Sequence, residues 1–134
     1  IKEATPAIIE AFLDSFSEGD GHKLRGGCYY FSSSKLLCDD IQECLIKLGK
    51  AGKISLREKA GTSFEIDGRK VMRQHDTYAV WQNKTKTDAF IKKSNVENVY
   101  YKGFVYCVTT PYHTILVRRN GVCMWSGNCG GDST

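Results

Sequence analysis

The chain has 134 residues, 41% of them apolar and 25% charged, and its 19 lysines and arginines outnumber its 15 aspartates and glutamates to give a formal net charge of +4. These values are ordinary for a globular domain and exclude a disordered or collagen-like chain. Apolar runs are too short to cross a bilayer as a helix, and six cysteines without a CxxC pair favour reduced thiols over a disulfide framework or zinc site. We therefore expect a cytoplasmic protein without a membrane partner.

The first predicted element is an amphipathic helix over residues 6–17. Thr5-Pro6 suits a helix start, because threonine caps and proline is tolerated in the first turn. Apolar residues follow at helical spacing from Ile8 to Phe16, and glycines at 19 and 21 end the helix. Taken alone, this pattern is that of a capped core helix with a solvated acidic end.

The sequence LDSFSEGDG, from Leu13 to Gly21, resembles the LAGLIDADG motif of homing endonucleases. In that family two such helices pack side by side, and the acidic residue next to the last glycine binds a divalent metal at the scissile phosphate. The resemblance implies that Asp20 is a metal ligand and that any endonuclease activity here requires Mg²⁺. Asp14 and Ser15 depart from the small apolar pair of the family motif.

Further along the chain, alternation and helical spacing predict a strand from Cys28 to Phe31, a helix from Leu36 to Leu48, and strands over Ile54–Lys59 and Thr77–Asn83. The segment SSSKLLCDDIQECLIKLG is similar to the stretch that follows the second LAGLIDADG helix in intein endonucleases. About ten residues separate Gly21 from the end of the next strand, at roughly 3.3 Å each, so the hairpin there is short. The family usually extends a DNA-reading ribbon at this point, which indicates a degenerate endonuclease half.

Seven of the basic residues after the first helix are candidate DNA contacts, and two interpretations fit them. On a sheet face they would track the phosphates of double-stranded DNA, whereas on exposed strand edges they would discourage edge pairing. They are Arg25, Lys53, Arg57, Lys59, Arg69, Lys70 and Arg73, the last three in a predicted loop.

The C-terminal run predicts three strands, over Phe104–Thr109, Thr114–Arg119 and Val122–Trp125, the last two joined by an Asn120-Gly121 turn. Before it, Lys86–Ser94 is a short helix or a polar linker. The run ends in Asn128-Cys129. An asparagine side chain can attack its own backbone carbonyl, and a deprotonated cysteine is a strong nucleophile, so this pair is either a scissile junction or a turn beside a thiol.

The run VYCVT at 105–109, followed by His113, Asn120-Gly121 and Gly127-Asn128-Cys129, resembles the C-terminal splicing motifs of inteins, the self-splicing members of the Hint superfamily. The resemblance implies that Asn128 cyclises, that Cys129 is the first residue of the C-terminal flank (the C-extein), and that His113 is a motif histidine. Gly127 stands where the family usually has histidine.

Cys107 also departs from the family pattern, since it replaces a common aspartate. It is either a second thiol near the junction or a buried strand cysteine.

Together these patterns predict an α+β chain. A LAGLIDADG homing-endonuclease-like half domain (helix, short hairpin, helix, strands) occupies 1–95, the C-terminal β-strands of a Hint fold occupy 96–128, and C-extein residues occupy 129–134. The chain begins with Ile1 and not with a nucleophile, and it carries one LAGLIDADG helix. We expect the C-terminal fragment of a split intein that trans-splices with an N-terminal intein fragment, in a single-turnover reaction without a cofactor. The alternative is a LAGLIDADG DNA endonuclease or DNA-binding remnant.

Overall fold

A computed structural model describes residues 1–85 and 93–127, and it confirms an α+β chain. The helices are α1 (Pro6–Gly19) and α2 (Lys35–Lys47), with a 3₁₀ turn at Lys93–Asn95. The strands are β1 (Gly21–Leu24), β2 (Gly27–Ser32), β3 (Gly52–Glu58), β4 (Ser63–Ile66), β5 (Arg69–Met72), β6 (Thr77–Asn83), β7 (Thr114–Arg119) and β8 (Val122–Gly127).

Both helices form where the sequence predicts them. Thr5 precedes α1 with extended backbone, but its side chain makes no capping hydrogen bond, so that part of the prediction was wrong. Pro6 occupies the first turn, and Ile9, Leu13 and Ser17 repeat every four residues on the buried side. Ser34 caps α2, because its side chain accepts a hydrogen bond from the Leu37 N–H at 3.2 Å. Neither helix within the described ranges is long and apolar enough to span a membrane.

Six strands form one antiparallel sheet in the order β1-β2-β6-β3-β8-β7, and β4 and β5 form a separate hairpin. Both helices pack on the same face of the six-stranded sheet. The core lies between the helices and the sheet, where the strand residues Tyr30, Ile54 and Val80 contact helix residues such as Ile9 and Ile41. The hairpin between β1 and β2 is short, as predicted.

Two assignments from the sequence, one of a strand and one of a loop, were wrong. Residues 104–109 form no strand, and Phe104 and Tyr106 are more than four-fifths exposed. The alternating pattern favours a strand, but strand preference reflects packing and pairing, and none of the described strands pairs with this segment. Arg69 and Lys70 lie in β5 and not in a loop, because the Asp67-Gly68 turn, with φ of 50° and 74°, closes a hairpin between them and β4.

The β7–β8 hairpin joins the same sheet as the strands from the first 95 residues, through the pairing of Val122 with Lys53. The division at 95/96 stays a prediction. The predicted helix or linker over Lys86–Ser94 falls largely on residues 86–92, outside the described ranges.

Candidate functional site

The β7–β8 hairpin carries the candidate site at its open end. Asn120 and Gly121 have φ of 50° and 74°, so both central residues of the predicted turn have a left-handed backbone, as a two-residue hairpin turn requires. The register runs from Arg119 opposite Val122 to Thr114 opposite Gly127. His113 is bonded to Thr114 and Asn128 is bonded to Gly127, so the motif histidine and the candidate junction leave the hairpin at the same end.

A small hydrogen-bonded clasp positions His113. The Thr110 hydroxyl accepts from the Thr114 N–H at 3.1 Å and donates to the Thr114 carbonyl at 3.0 Å, while the His113 N–H donates to the Thr110 carbonyl at 3.1 Å. His113 itself has φ of 53°, a left-handed conformation that is uncommon for a residue with a side chain. The turn over Thr110–Thr114 therefore holds the exposed imidazole at the mouth of the hairpin.

Asn128 and Cys129 lie outside the described residues, and their roles stay predictions. Gly127, the last described residue before them, is exposed at the end of β8. Its backbone is outside the left-handed region, and a Cβ built there meets no described atom within 4 Å. Cys107 is exposed in the segment that precedes His113. That position excludes the buried strand cysteine and leaves the second-thiol hypothesis untested.

The turn of the hairpin is anchored by Gln42, a residue that the sequence analysis did not select. Gln42 is fully buried, and its Nε2 donates to the carbonyl of Gly52 at 2.7 Å and to that of Gly121 at 2.8 Å. The Ile54 N–H donates to the same Gly121 carbonyl at 2.9 Å. Helix α2 and strand β3 therefore fix the closed end of the hairpin whose open end carries the candidate site.

A second link joins α2 to β7. The Arg118 guanidinium lies 3.0 Å from the Asp39 carboxylate, which also pairs with Lys35 at 2.7 Å. A hydrogen bond to the Cys123 thiol, followed by the charge of Asp39, raises the pKa of Arg118. These groups are partly exposed, so the ion pair contributes little to the stability of the fold and mainly orients β7 relative to α2.

The predicted metal ligand Asp20 follows α1. Its N–H donates to the Phe16 carbonyl and its carbonyl accepts from the Phe31 N–H, each at 2.9 Å, which leaves the carboxylate exposed. Mg²⁺ can be held by one or two carboxylates together with substrate phosphates, so a single exposed carboxylate meets the minimum. No group of three or more His, Cys, Asp or Glu side chains is clustered within the described ranges. Asp20 as a ligand stays a prediction.

The seven predicted DNA-binding residues do not lie on one sheet. Arg25 is in the β1–β2 turn, Lys53 and Arg57 are on β3, Lys59 follows β3, and Arg69 and Lys70 are on β5. The Arg73 guanidinium is already engaged, because it pairs with the Glu58 carboxylate and lies 4.3 Å from the centre of the Phe64 ring. Their contact with DNA stays a prediction.

Comparison with known proteins gives three matches to curated sequences. The chain is 33% identical over 107 residues to the DNA-directed RNA polymerase subunit beta C-terminal section of Stigeoclonium helveticum, covering 76% of this chain and 10% of that protein. It is 28% identical over 138 aligned residues to the ribonucleoside-diphosphate reductase subunit beta of Aquifex aeolicus, covering 96% of this chain and 18% of that protein.

The third match is to the ATP-dependent Clp protease proteolytic subunit of Chlamydomonas moewusii, at 51% identity over 35 residues, which is 26% of this chain and 4% of that protein. The chain thus spans a tenth to less than a fifth of the first two relatives. No family model matches, and no solved structure matches significantly.

Proposed function

We propose that this chain is the C-terminal part of an intein and that it carries out the second half of protein splicing at Asn128-Cys129, in trans with an N-terminal intein fragment. The observation that carries the proposal is the β7–β8 register. With Thr114 opposite Gly127, His113 and the peptide that leads to Asn128 leave the same end of one hairpin. A proton donor and a cyclising asparagine need this proximity.

The comparisons support an embedded element. A polymerase subunit, a reductase subunit and a protease subunit have different printed functions, yet each contains a short segment similar to this chain. A segment shared among proteins of unrelated function, and small relative to each of them, is the pattern that an insertion moving between host genes would leave. An intein is such an insertion.

The chemistry assigned to this chain begins after an upstream thioester has formed on the N-terminal fragment. The Cys129 thiolate attacks that thioester, so the N-terminal flank passes to Cys129 and the upstream thiol leaves. The Asn128 side-chain nitrogen then attacks the Asn128 carbonyl carbon. The bond to the Cys129 nitrogen breaks, the amine takes up a proton, and a succinimide remains on residue 128.

His113 is assigned to the cyclisation step. Its imidazole would donate a proton or hydrogen bond as the Asn128–Cys129 peptide bond breaks. A cysteine attacks as its thiolate, so a base or a local positive charge beside Cys129 would favour the transfer. Finally the new thioester rearranges to an amide between the flanks. No metal or nucleotide enters these steps.

The direct test is to mix the full chain with an N-terminal intein fragment under reducing conditions and to weigh the products. We expect Cys129-Gly130-Gly131-Asp132-Ser133-Thr134 to become joined to the partner's flank. Cys129→Ala should abolish joining but retain cleavage after Asn128, whereas Asn128→Ala should accumulate the branched species. Unchanged masses with a partner shown to bind would contradict the proposal, as would normal splicing by Cys129→Ala.

Restoring the family's usual histidine beside the junction should accelerate cleavage. No described atom lies within 4 Å of a Cβ at Gly127, and its backbone is not left-handed, so Gly127→His adds a donor without a clash among the described residues. We expect cleavage after Asn128 to become about tenfold faster or more, measured by mass in a Cys129→Ala background. Gly127→Gln is the matched control, because it adds a similar volume without a titratable group. Equal rates for the two variants would mean that bulk, and not the imidazole, sets the rate.

The alternative function, a LAGLIDADG endonuclease or DNA-binding remnant, is favoured by one arrangement. Helix α1 ends at Gly19 and is followed directly by Asp20, an exposed residue between the helix and the start of β1. Specific cleavage of duplex DNA by this chain with Mg²⁺, abolished by Asp20→Asn, would assign it that activity instead.

A further inference from the structure

The six-stranded sheet has a second face, opposite the two helices, which we call the helix-free face. Alternation along the strands sends Tyr30 and Val80 to the helices and sends Tyr29 and Trp81 to this face. Cross-strand register then aligns one residue from each strand in a row across the whole sheet. The row is His22, Tyr29, Trp81, Lys53, Val122 and Arg119.

Aromatic rings occupy the middle of this row. The Tyr29 and Trp81 ring centres are 4.4 Å apart, and Phe31 stacks on Tyr29 at 5.7 Å with planes 17° apart. Gly27 makes room for them, since a Cβ on Gly27 would lie 2.7 Å from the Trp81 indole. All three rings are partly exposed, because the core of the protein is on the other face of the sheet.

Cations flank the rings. Lys53 pairs directly with Trp81 across the strands, and Arg119 ends the row, and both side chains are exposed. The charges of the fold are also divided between its two layers. The two helices carry six carboxylates and two lysines, whereas the six strands of the large sheet carry five lysines and arginines and one carboxylate, Glu58, which Arg73 already pairs. Two of the five strand cations, Lys23 and Arg118, lie on the helix side by alternation, and Arg118 pairs with Asp39 there. Lys53 and Arg119 lie on the helix-free face, so a polyanion is attracted to that face and repelled by the helix layer.

We propose that the helix-free face binds single-stranded nucleic acid, with bases stacked on Tyr29 and Trp81 and phosphates contacted by Lys53 and Arg119. Ring platforms beside cations bind unpaired strands because every base offers a flat face to an aromatic side chain. In a duplex the base faces are covered by neighbouring base pairs, so aromatic side chains on a sheet cannot stack on them. The face thus selects unpaired over paired strands, a function separate from splicing, and it assigns Lys53, one of the duplex contacts predicted above, to a single strand instead.

The test uses the full chain under reducing conditions and fluorescein-labelled oligothymidylate and oligouridylate of about 15 nucleotides, which distinguish DNA from RNA. Fluorescence anisotropy should show binding of a single strand at low salt that weakens as salt rises. A labelled mixed-sequence single strand should bind more tightly than the duplex formed with its complement. Trp81→Leu should weaken binding of the single strand by about 5- to 150-fold, the loss expected for one stacked base.

The protein supplies a matched control for that variant. Trp125, the other tryptophan, is 65% exposed on the helix side of the sheet, where it lines a groove of about 500 Å³ beside α2. Trp125→Leu should leave binding unchanged. Lys53→Gln should weaken binding and reduce its dependence on salt, whereas Lys35→Gln on α2 should do neither.

A second readout covers the case in which Trp81→Leu does not fold, as judged by circular dichroism. In a Trp125→Phe background Trp81 is the sole tryptophan, and single strands should quench its fluorescence. Equal affinity for single strands and duplex, or binding without quenching, would overturn the proposal. So would a concentration-dependent dimer, seen by sedimentation, that Lys53→Gln and Tyr29→Leu disrupt, because the face would then belong to a second copy of the chain.

Discussion

Replacing His113 with alanine is expected to slow cleavage after Asn128 by about a hundredfold, the usual loss when one general acid or oxyanion donor is removed. The reason is positional, since the Thr110–Thr114 clasp and the Thr114–Gly127 pairing hold this imidazole at the end of the hairpin that leads to Asn128. The rate is measured by mass in a Cys129→Ala background, where cyclisation is separated from joining. The acyl shift on the partner should change far less.

The backbone at His113 demands a second variant. At φ of 53° the left-handed backbone costs about 1–2 kcal/mol for any residue with a Cβ, and alanine, unlike histidine and asparagine, is not enriched in that region, so His113→Ala can also disturb the turn. Asparagine tolerates the left-handed region, so His113→Asn removes the imidazole and keeps the turn. Both variants should be slow, and His75→Ala, at an exposed histidine far along the chain from the hairpin, should be normal. A normal rate in His113→Asn would show that His113 only shapes the turn.

Gly121→Ala is expected to be the most destabilising small substitution in the hairpin, at about 2–5 kcal/mol. Gly121 has φ of 74°, and a Cβ there would sit 2.1 Å from the Ile54 carbonyl oxygen, a backbone atom that cannot move aside alone. Relief of this contact must separate Gly121 from Ile54 and from Gln42, and so detach β8 from β3. Urea unfolding of the two proteins measures the difference in stability.

Gly68 provides the control for that measurement. It has the same φ of 74°, in the β4–β5 turn, but a Cβ on it meets no described atom within 4 Å. Gly68→Ala should therefore cost only the left-handed strain, about 1–2 kcal/mol. If Gly121→Ala and Gly68→Ala lower the free energy of unfolding equally, the close approach of Gly121 to Ile54 does not contribute to stability, and other contacts attach the hairpin to the sheet.

Local patterns were sufficient for most of the elements. Helix α1 follows from Thr5-Pro6 and from apolar residues at helical spacing, and β6 and β7 begin and end at the predicted residues. Asn120-Gly121 was sufficient to place a hairpin turn, because only such a pair adopts two left-handed conformations cheaply. In each case the signal is contained within a few neighbouring residues.

What depends on distant partners was not predictable. Residues 104–109 are at least as rich in aromatic and β-branched residues as β7, yet a strand also needs a neighbour to pair with. The sequence does single out Gln42, because it is the one polar residue within the buried stripe of Cys38, Ile41 and Leu45. Its acceptor at Gly121 is 79 residues away, so no local pattern indicates what it binds. Residue types are enough to propose the candidate site, whereas its anchoring through Gln42 needs the structure.

The β7–β8 hairpin meets the rest of the sheet through one paired position and the hydrogen bonds at Gly121, and it meets α2 through the partly exposed Arg118–Asp39 pair, a small interface for two strands. Such contacts alone would not hold a separate peptide at ordinary concentrations. Residues 84–113 tie the hairpin covalently to β6, and a tether of this length gives an effective concentration on the order of millimolar. A single proteolytic cut between β6 and β7 would therefore remove the hairpin from the protein without breaking any contact inside either piece.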